Sequence, residues 1–156
     1  MSPVVSDAFV FFGATGDLAF KQIFPALAGL IRDEGFDVPI IGVARSGDLD
    51  SLKARARASL AAAGDKDEAT LARLLAQLRY VKGSDDDLDT FHALRAALGQ
   101  SAHPLHYLAI PPSLFAPVID NLEKSGCAEG ARIIVEKPFG RDLASARSLN
   151  ATVHRV

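Results

Sequence analysis

The chain has 156 residues, 49% hydrophobic and 23% charged, with a formal net charge of -2. That length and apolar content suit one globular domain with a sizeable core, and the balanced charge excludes a global basic field for nucleic acid or an anionic membrane. A lone cysteine, Cys127, excludes an intrachain disulfide and fits a reducing, cytoplasmic setting. No apolar run is long enough to span a bilayer, and the short N-terminal one lacks the basic flank of a signal peptide.

In chain order, residues 1–7 read as a short tail and 8–12, all apolar, as a first strand. The strand enters Gly13-Ala14-Thr15-Gly16. Ile23, Leu27, Leu30 and Ile31 then share one face of a helix expected over 18–32. Asp17 is expected to cap that helix or sit in its first turn. Pro25 removes one helical hydrogen bond, which predicts a kink or a break. Residues 39–44 contain the unbroken apolar run Ile40-Ile41-Gly42-Val43, as in a parallel strand covered on both faces. A helix over 49–63 breaks at Gly64-Asp65, and a second over 67–78 places Leu71, Leu74, Leu75 and Leu78 on one face.

A third strand over 79–82 leads to the Gly83-Ser84 loop. Asp85-Asp86-Asp87 reads as a solvated turn and helix start, because three consecutive acids cannot all face one ion in a regular element. The helix over 88–98 turns Leu88, Phe91, Leu94 and Leu98 inward. A strand over 105–110 is stopped by Pro111-Pro112, and a helix over 113–124 buries Phe115, Val118, Ile119 and Leu122. A fifth strand over 133–135 runs into Glu136-Lys137-Pro138-Phe139-Gly140-Arg141, and Asp142 is placed to cap a final helix. Strands and helices alternate throughout. The expected fold is α/β: one doubly wound, parallel-sheet, Rossmann-like dinucleotide-binding domain over 1–156, with right-handed crossovers.

In such sheets ligands bind outside the carboxyl ends of the strands. Gly13, Gly16, Arg45, Ser84 and Lys137 all follow strand ends, so they share one edge. The strand–glycine turn–helix order aims unpaired helical N–H groups at the turn, where a phosphate is the expected guest. Gly13 permits the turn, Gly16 lets a pyrophosphate approach, and Ala19 lets the helix pack close. The spacing is Gly-x-x-Gly-x-x-Ala, so a plain βα turn remains the bland alternative. Arg45-Ser46 follows the second strand, where an acid would select the ribose hydroxyl of NAD. An arginine with a hydroxyl neighbour suits the 2′-phosphate of NADP, and the next acid is Asp48.

Four segments resemble the N-terminal coenzyme domain of the glucose-6-phosphate dehydrogenase family. They are Gly13-Ala14-Thr15-Gly16-Asp17-Leu18-Ala19 with Pro25-Ala26-Leu27, Gly42-Val43-Ala44-Arg45-Ser46, Tyr107-Leu108-Ala109-Ile110-Pro111-Pro112, and Val135-Glu136-Lys137-Pro138-Phe139-Gly140-Arg141-Asp142-Leu143. Their order and spacing agree over essentially the whole chain. The resemblance implies an oxidoreductase of the pentose phosphate pathway that oxidises C1 of glucose 6-phosphate to the lactone and passes a hydride to NADP. It implies that Gly13, Ala14, Thr15, Gly16, Asp17 and Leu18 hold the pyrophosphate, and that Arg45, with Thr15 or Ser46, holds the 2′-phosphate. Gly83 and Ser84 would lie near the adenosine, Ile110 and Pro111 beside the nicotinamide, and Lys137 against both coenzyme and sugar phosphate.

The sequence departs from the family at Gln22, where a ligand-binding lysine is common, and at Phe115, where some members carry a tyrosine. The family's catalytic histidine lies in a C-terminal α+β domain beyond Val156. No catalytic residue and no metal ligand is therefore assigned here, and His92, His103, His106 and His154 read as surface or structural residues. The expectation is a piece of the enzyme, inactive alone, whose uncovered apolar surface favours self-association. The alternative is a free-standing, non-enzymatic NADP-binding sensor or interaction module. A short-chain reductase is disfavoured because neither Tyr80 nor Tyr107 has a lysine four residues on.

Overall fold

The structure, a computed structural model, describes residues 6–135; Lys137, Asp142 and the expected final helix lie outside the described residues. The strands are β1 (Ala8–Phe12), β2 (Ile40–Ala44), β3 (Leu78–Lys82), β4 (Pro104–Leu108) and β5 (Arg132–Val135). All pair in parallel, in the order β3-β2-β1-β4-β5. The apolar runs of β1 and β2 are buried at every position, as central parallel strands with both faces covered should be.

Among the described residues five α-helices flank the sheet: α1 (Phe24–Glu34), α2 (Leu49–Ala62), α3 (Glu68–Gln77), α4 (Leu88–Leu98) and α5 (Phe115–Ser125). The period of two along β1 sorts its side chains between two cores. Phe9 and Phe11 pack with α1, α2 and α3, where Phe11 meets Phe24 edge-on at 5.6 Å. Val10 and Phe12 pack with α4 and α5, where Phe12 stacks on Phe91 at 5.7 Å. Helices thus cover both faces, in a Rossmann-like doubly wound arrangement.

Several boundaries differ from the sequence expectation. The helical stretch after the glycine turn starts at Asp17, passes through one π-helical turn, Ala19–Ile23, and continues as α1 from Phe24. Pro25 follows that turn within one unbroken helical stretch, so the irregularity expected of it takes the form of π winding just ahead of the proline. Asp17 sits in the first turn, the second of the two roles expected for it: Asp17 and Leu18 are already helical, and no side chain caps the π turn that follows. Leu30, expected in the core, is 40% exposed. Leu78 opens β3 instead of closing α3. β4 stops at Leu108, opposite Phe12 at the end of β1, short of the expected end at Ile110. A 3-10 turn over Pro112–Leu114 then delays α5 to Phe115.

Residues 1–7 are not wholly a tail. The Asp7 carboxylate accepts from the Ser101 hydroxyl and from the N–H groups of Ala102 (2.8 Å) and His103 (2.9 Å). These bonds tie the start of β1 to the loop before β4. Burial pushes the Asp7 carboxyl up, but the three donors together hold it below the usual range.

Candidate functional site

Where the chain reverses direction across the sheet, between β1 and β4, a cleft of about 500 Å³ opens at the strands' carboxyl ends. Its walls include Gly13, Thr15 and Gly16 after β1, Arg45 and Ser46 after β2, and Ile110 and Pro111 after β4. Seven of the residues singled out in the sequence therefore meet in one cavity. Asp85 and Leu114 complete the same wall.

The glycine turn is built for close approach. Gly13 has φ +81°, and a Cβ there would lie 2.1 Å from the Ala109 carbonyl oxygen, so the β1 and β4 ends meet only with glycine. The N–H groups of Gly13 and Ala14 both donate to the Val43 carbonyl, and that of Gly16 to the Gly13 carbonyl. Ala14 is fully buried in the core beneath the turn. These residues shape the turn, while the Thr15 side stands exposed to the cleft.

Arg45 and Ser46 are exposed at the end of β2. Their loop is propped from below: the Tyr80 hydroxyl on β3 donates to the Ser46 carbonyl. Burial raises the Tyr80 phenol, and the Asp48 charge raises it further, so it remains a donor. Asp48 itself is engaged elsewhere. It caps α2 in a reciprocal capping box with Ser51, accepting from its N–H at 2.8 Å. No acid thus occupies the position expected to select NAD.

Gly83 and Ser84 are not among the residues that line the cleft. A Cβ on Gly83 would lie 2.0 Å from the Thr90 hydroxyl, so this glycine serves loop packing, and the Ser84 hydroxyl donates to Asp86. The acidic run was expected to be solvated, and Asp85 corrects that: it is 8% exposed and faces the cleft, whereas Asp86 and Asp87 are exposed. Burial pushes its carboxyl up, against a downward pull from Arg45 and an upward push from Asp86. Asp87 caps α4 by accepting from the Asp89 N–H. Gln22 lines a different, apolar groove, and Phe115 is 1% exposed in the core, one residue past the cleft-lining Leu114.

Sequence reasoning missed three participants: Arg55, which bonds the glycine turn, Tyr80 and Asp85. None carries a local motif; each is brought in by the crossovers.

A family model described as "Glucose-6-phosphate dehydrogenase, NAD binding domain" matches residues 10–156. The chain belongs to this family. It is 44% identical over 153 residues to glucose-6-phosphate 1-dehydrogenase 1 of Mycobacterium tuberculosis, covering 97% of this chain and 33% of that protein. It is 40% identical over 153 residues to the Saccharomyces cerevisiae enzyme, covering 88% of this chain and 30% of that protein. Its structure superposes on the Mycobacterium avium glucose-6-phosphate 1-dehydrogenase with a TM-score of 0.90 at 48% identity, covering 97% of this chain and 34% of that one. A glucose-6-phosphate dehydrogenase in complex with its substrate glucose 6-phosphate gives 0.83 at 32%, covering 99% and 35%. The chain spans about a third of the length of the curated relatives it matches. The matched family model is that of a dinucleotide-binding domain. No helix among the described residues is long and apolar enough to cross a membrane.

Proposed function

We propose that the cleft binds NADP, and that the domain serves an enzyme oxidising glucose 6-phosphate at C1 to its lactone. The observation that carries this reading is the exposed Arg45-Ser46 pair at the end of β2, with Asp48 withdrawn into its helix cap. A guanidinium matches a phosphate monoester in charge and fork geometry, and a neutral ribose hydroxyl leaves it unpaired.

In this reading the diphosphate lies over the glycine turn. Gly13, Ala14 and Gly16 shape the turn, and the N–H groups of Thr15, Asp17 and Leu18 face the anion with the positive end of the helix behind them. Arg45, Ser46 and Thr15 hold the 2′-phosphate, and Ile110 and Pro111 border the nicotinamide. NADP, when bound, accepts the hydride; this domain's residues orient it. Lys137, by its motif Glu136-Lys137-Pro138-Phe139-Gly140, is assigned to coenzyme and sugar phosphate. The described histidines offer no base here: His106 is buried, His92 is exposed on α4, and His103 contacts the Gly130 carbonyl. The 156 residues alone are therefore expected to bind coenzyme without turning over substrate.

Calorimetry with NADP⁺ and NAD⁺, beside Arg45→Ala, tests the reading. NADP⁺ should bind more tightly, and the variant should lose about 2 kcal/mol of NADP⁺ affinity, roughly thirtyfold, with little change for NAD⁺. Equal losses for both nucleotides, or no binding by a folded chain, would overturn it.

A further inference from the structure

Of three consecutive acids, only Asp85 is drawn into the cleft. Asp86 accepts from Ser84 and Asp87 caps α4, both at the surface. Asp85 is 8% exposed, and among the described residues its carboxylate receives no hydrogen bond. Its placement comes from the backbone: Asn121 on α5, itself 9% exposed, donates its side-chain amide to the Asp85 carbonyl at 3.2 Å. Its oxygens are not among the fully buried atoms that lack a partner, so the carboxylate meets solvent through the cleft, and a ligand N–H there would replace water.

The topology says which end of a coenzyme meets it. β3 lies beside β2, so the loop carrying Asp85 neighbours the loop carrying Arg45. A ribose whose 2′-phosphate reaches Arg45 projects its base toward that neighbour, between Asp85 and the apolar Leu114 and Ile110. An ionised carboxylate only accepts hydrogen bonds. Adenine presents an amino donor at its exocyclic position, where hypoxanthine presents a carbonyl acceptor.

We propose that Asp85 is the base-reading residue of the cleft, its carboxylate accepting a hydrogen bond from the exocyclic amino group of the coenzyme's adenine. This rests on reading the cleft as the NADP site. Burial pushing the Asp85 carboxyl up agrees with a group short of donors before the coenzyme arrives.

The test is calorimetry of the whole chain with NADP⁺, NAD⁺ and the hypoxanthine analogue of NADP⁺. The wild type should bind NADP⁺ at least about tenfold more tightly than the analogue, because the analogue sets two acceptors against each other. Asp85→Ala should bring the two within about twofold, and Asp85→Asn should tilt toward the analogue, since an amide can donate to its carbonyl. Neither variant should change the NADP⁺ to NAD⁺ ratio, which belongs to Arg45. If circular dichroism shows Asp85→Ala unfolded, Asp85→Asn is read by itself with the same criterion. A wild type indifferent to the base, or variants that keep its discrimination, would overturn the assignment while leaving the NADP reading intact. So would variants whose NADP⁺ to NAD⁺ ratio collapses, which would make Asp85 a support for Arg45. A folded wild type that binds neither nucleotide defeats the NADP reading, and this assignment with it.

Discussion

The Arg55 guanidinium on α2 donates a 2.7 Å hydrogen bond to the carbonyl of Gly16, 39 residues earlier in the chain. The same group lies 5.1 Å over the Phe20 ring, and Ser59, one helical turn on, donates to the Phe20 carbonyl. One face of α2 therefore grips the glycine turn and the π-helical turn behind it. The Phe24 N–H goes to the Ala19 carbonyl and Pro25 has no N–H, so the π winding leaves the Phe20 carbonyl for Ser59.

Arg55 acts on the coenzyme through the turn. Arg55→Met should keep the apolar stem over Phe20 and lose the bond to Gly16. The expected result is several-fold weaker binding of NADP⁺ and NAD⁺ alike, by calorimetry, with a stability loss of about 1 kcal/mol in urea. A change confined to NADP⁺ would show that Arg55 contacts the 2′-phosphate instead.

Tyr80 supports the specificity loop, so Tyr80→Phe removes the donor to the Ser46 carbonyl while keeping the ring. NADP⁺ affinity should fall about threefold to tenfold and NAD⁺ affinity should hold, because only the 2′-phosphate depends on that loop. Equal weakening of both in the same titrations would refute this.

His106 makes stability pH-dependent. It is fully buried on β4, its Nε2 is 2.9 Å from the Cys127 carbonyl, and its Nδ1 has no partner. Burial, partly opposed by the bond to Cys127, lowers its pKa from 6.5 to about 4. Between those values the unfolded chain binds the proton and the folded chain does not. Stability therefore rises with pH across that window and is lost as pH falls from 6.5 toward 4, by up to about 3 kcal/mol from this group. Urea midpoints at pH 7 and pH 5 should differ in the wild type. The gap should shrink in His106→Gln, which keeps a donor for the Cys127 carbonyl; an unchanged gap would assign the effect to carboxylates.

A second cavity, an apolar groove of about 350 Å³, runs between α1 and the β4–β5 side of the sheet, with Leu30 (40% exposed) and Ile134 (38%) at its rim. Exposed apolar surface of this kind promotes association. Sedimentation should show concentration-dependent self-association, reduced by Leu30→Lys combined with Ile134→Lys at unchanged coenzyme affinity. A monomer at all concentrations would contradict this.

The order of elements, the parallel sheet and the positions of Gly13, Gly16, Arg45 and Ser46 were legible in the sequence. Those signals are local: burial on two faces demands an unbroken apolar run, and a tight turn before a helix demands glycine. Turn boundaries around Pro25 and Pro111 were not, because each depends on where a neighbouring strand ends or a helix side chain reaches. Asp85, Asp86 and Asp87 are identical in type and adjacent, yet one lies inside the cleft and two lie outside. Only the docking of α5 through Asn121 decides which. In the same way, Arg55 and Tyr80 are ordinary surface-pattern residues until the crossovers bring α2 to the glycine turn and β3 beside β2. Local chemistry thus placed the phosphate-facing edge, and long-range packing chose the side chains that brace it, because contacts between residues dozens of positions apart leave no periodic trace in the chain.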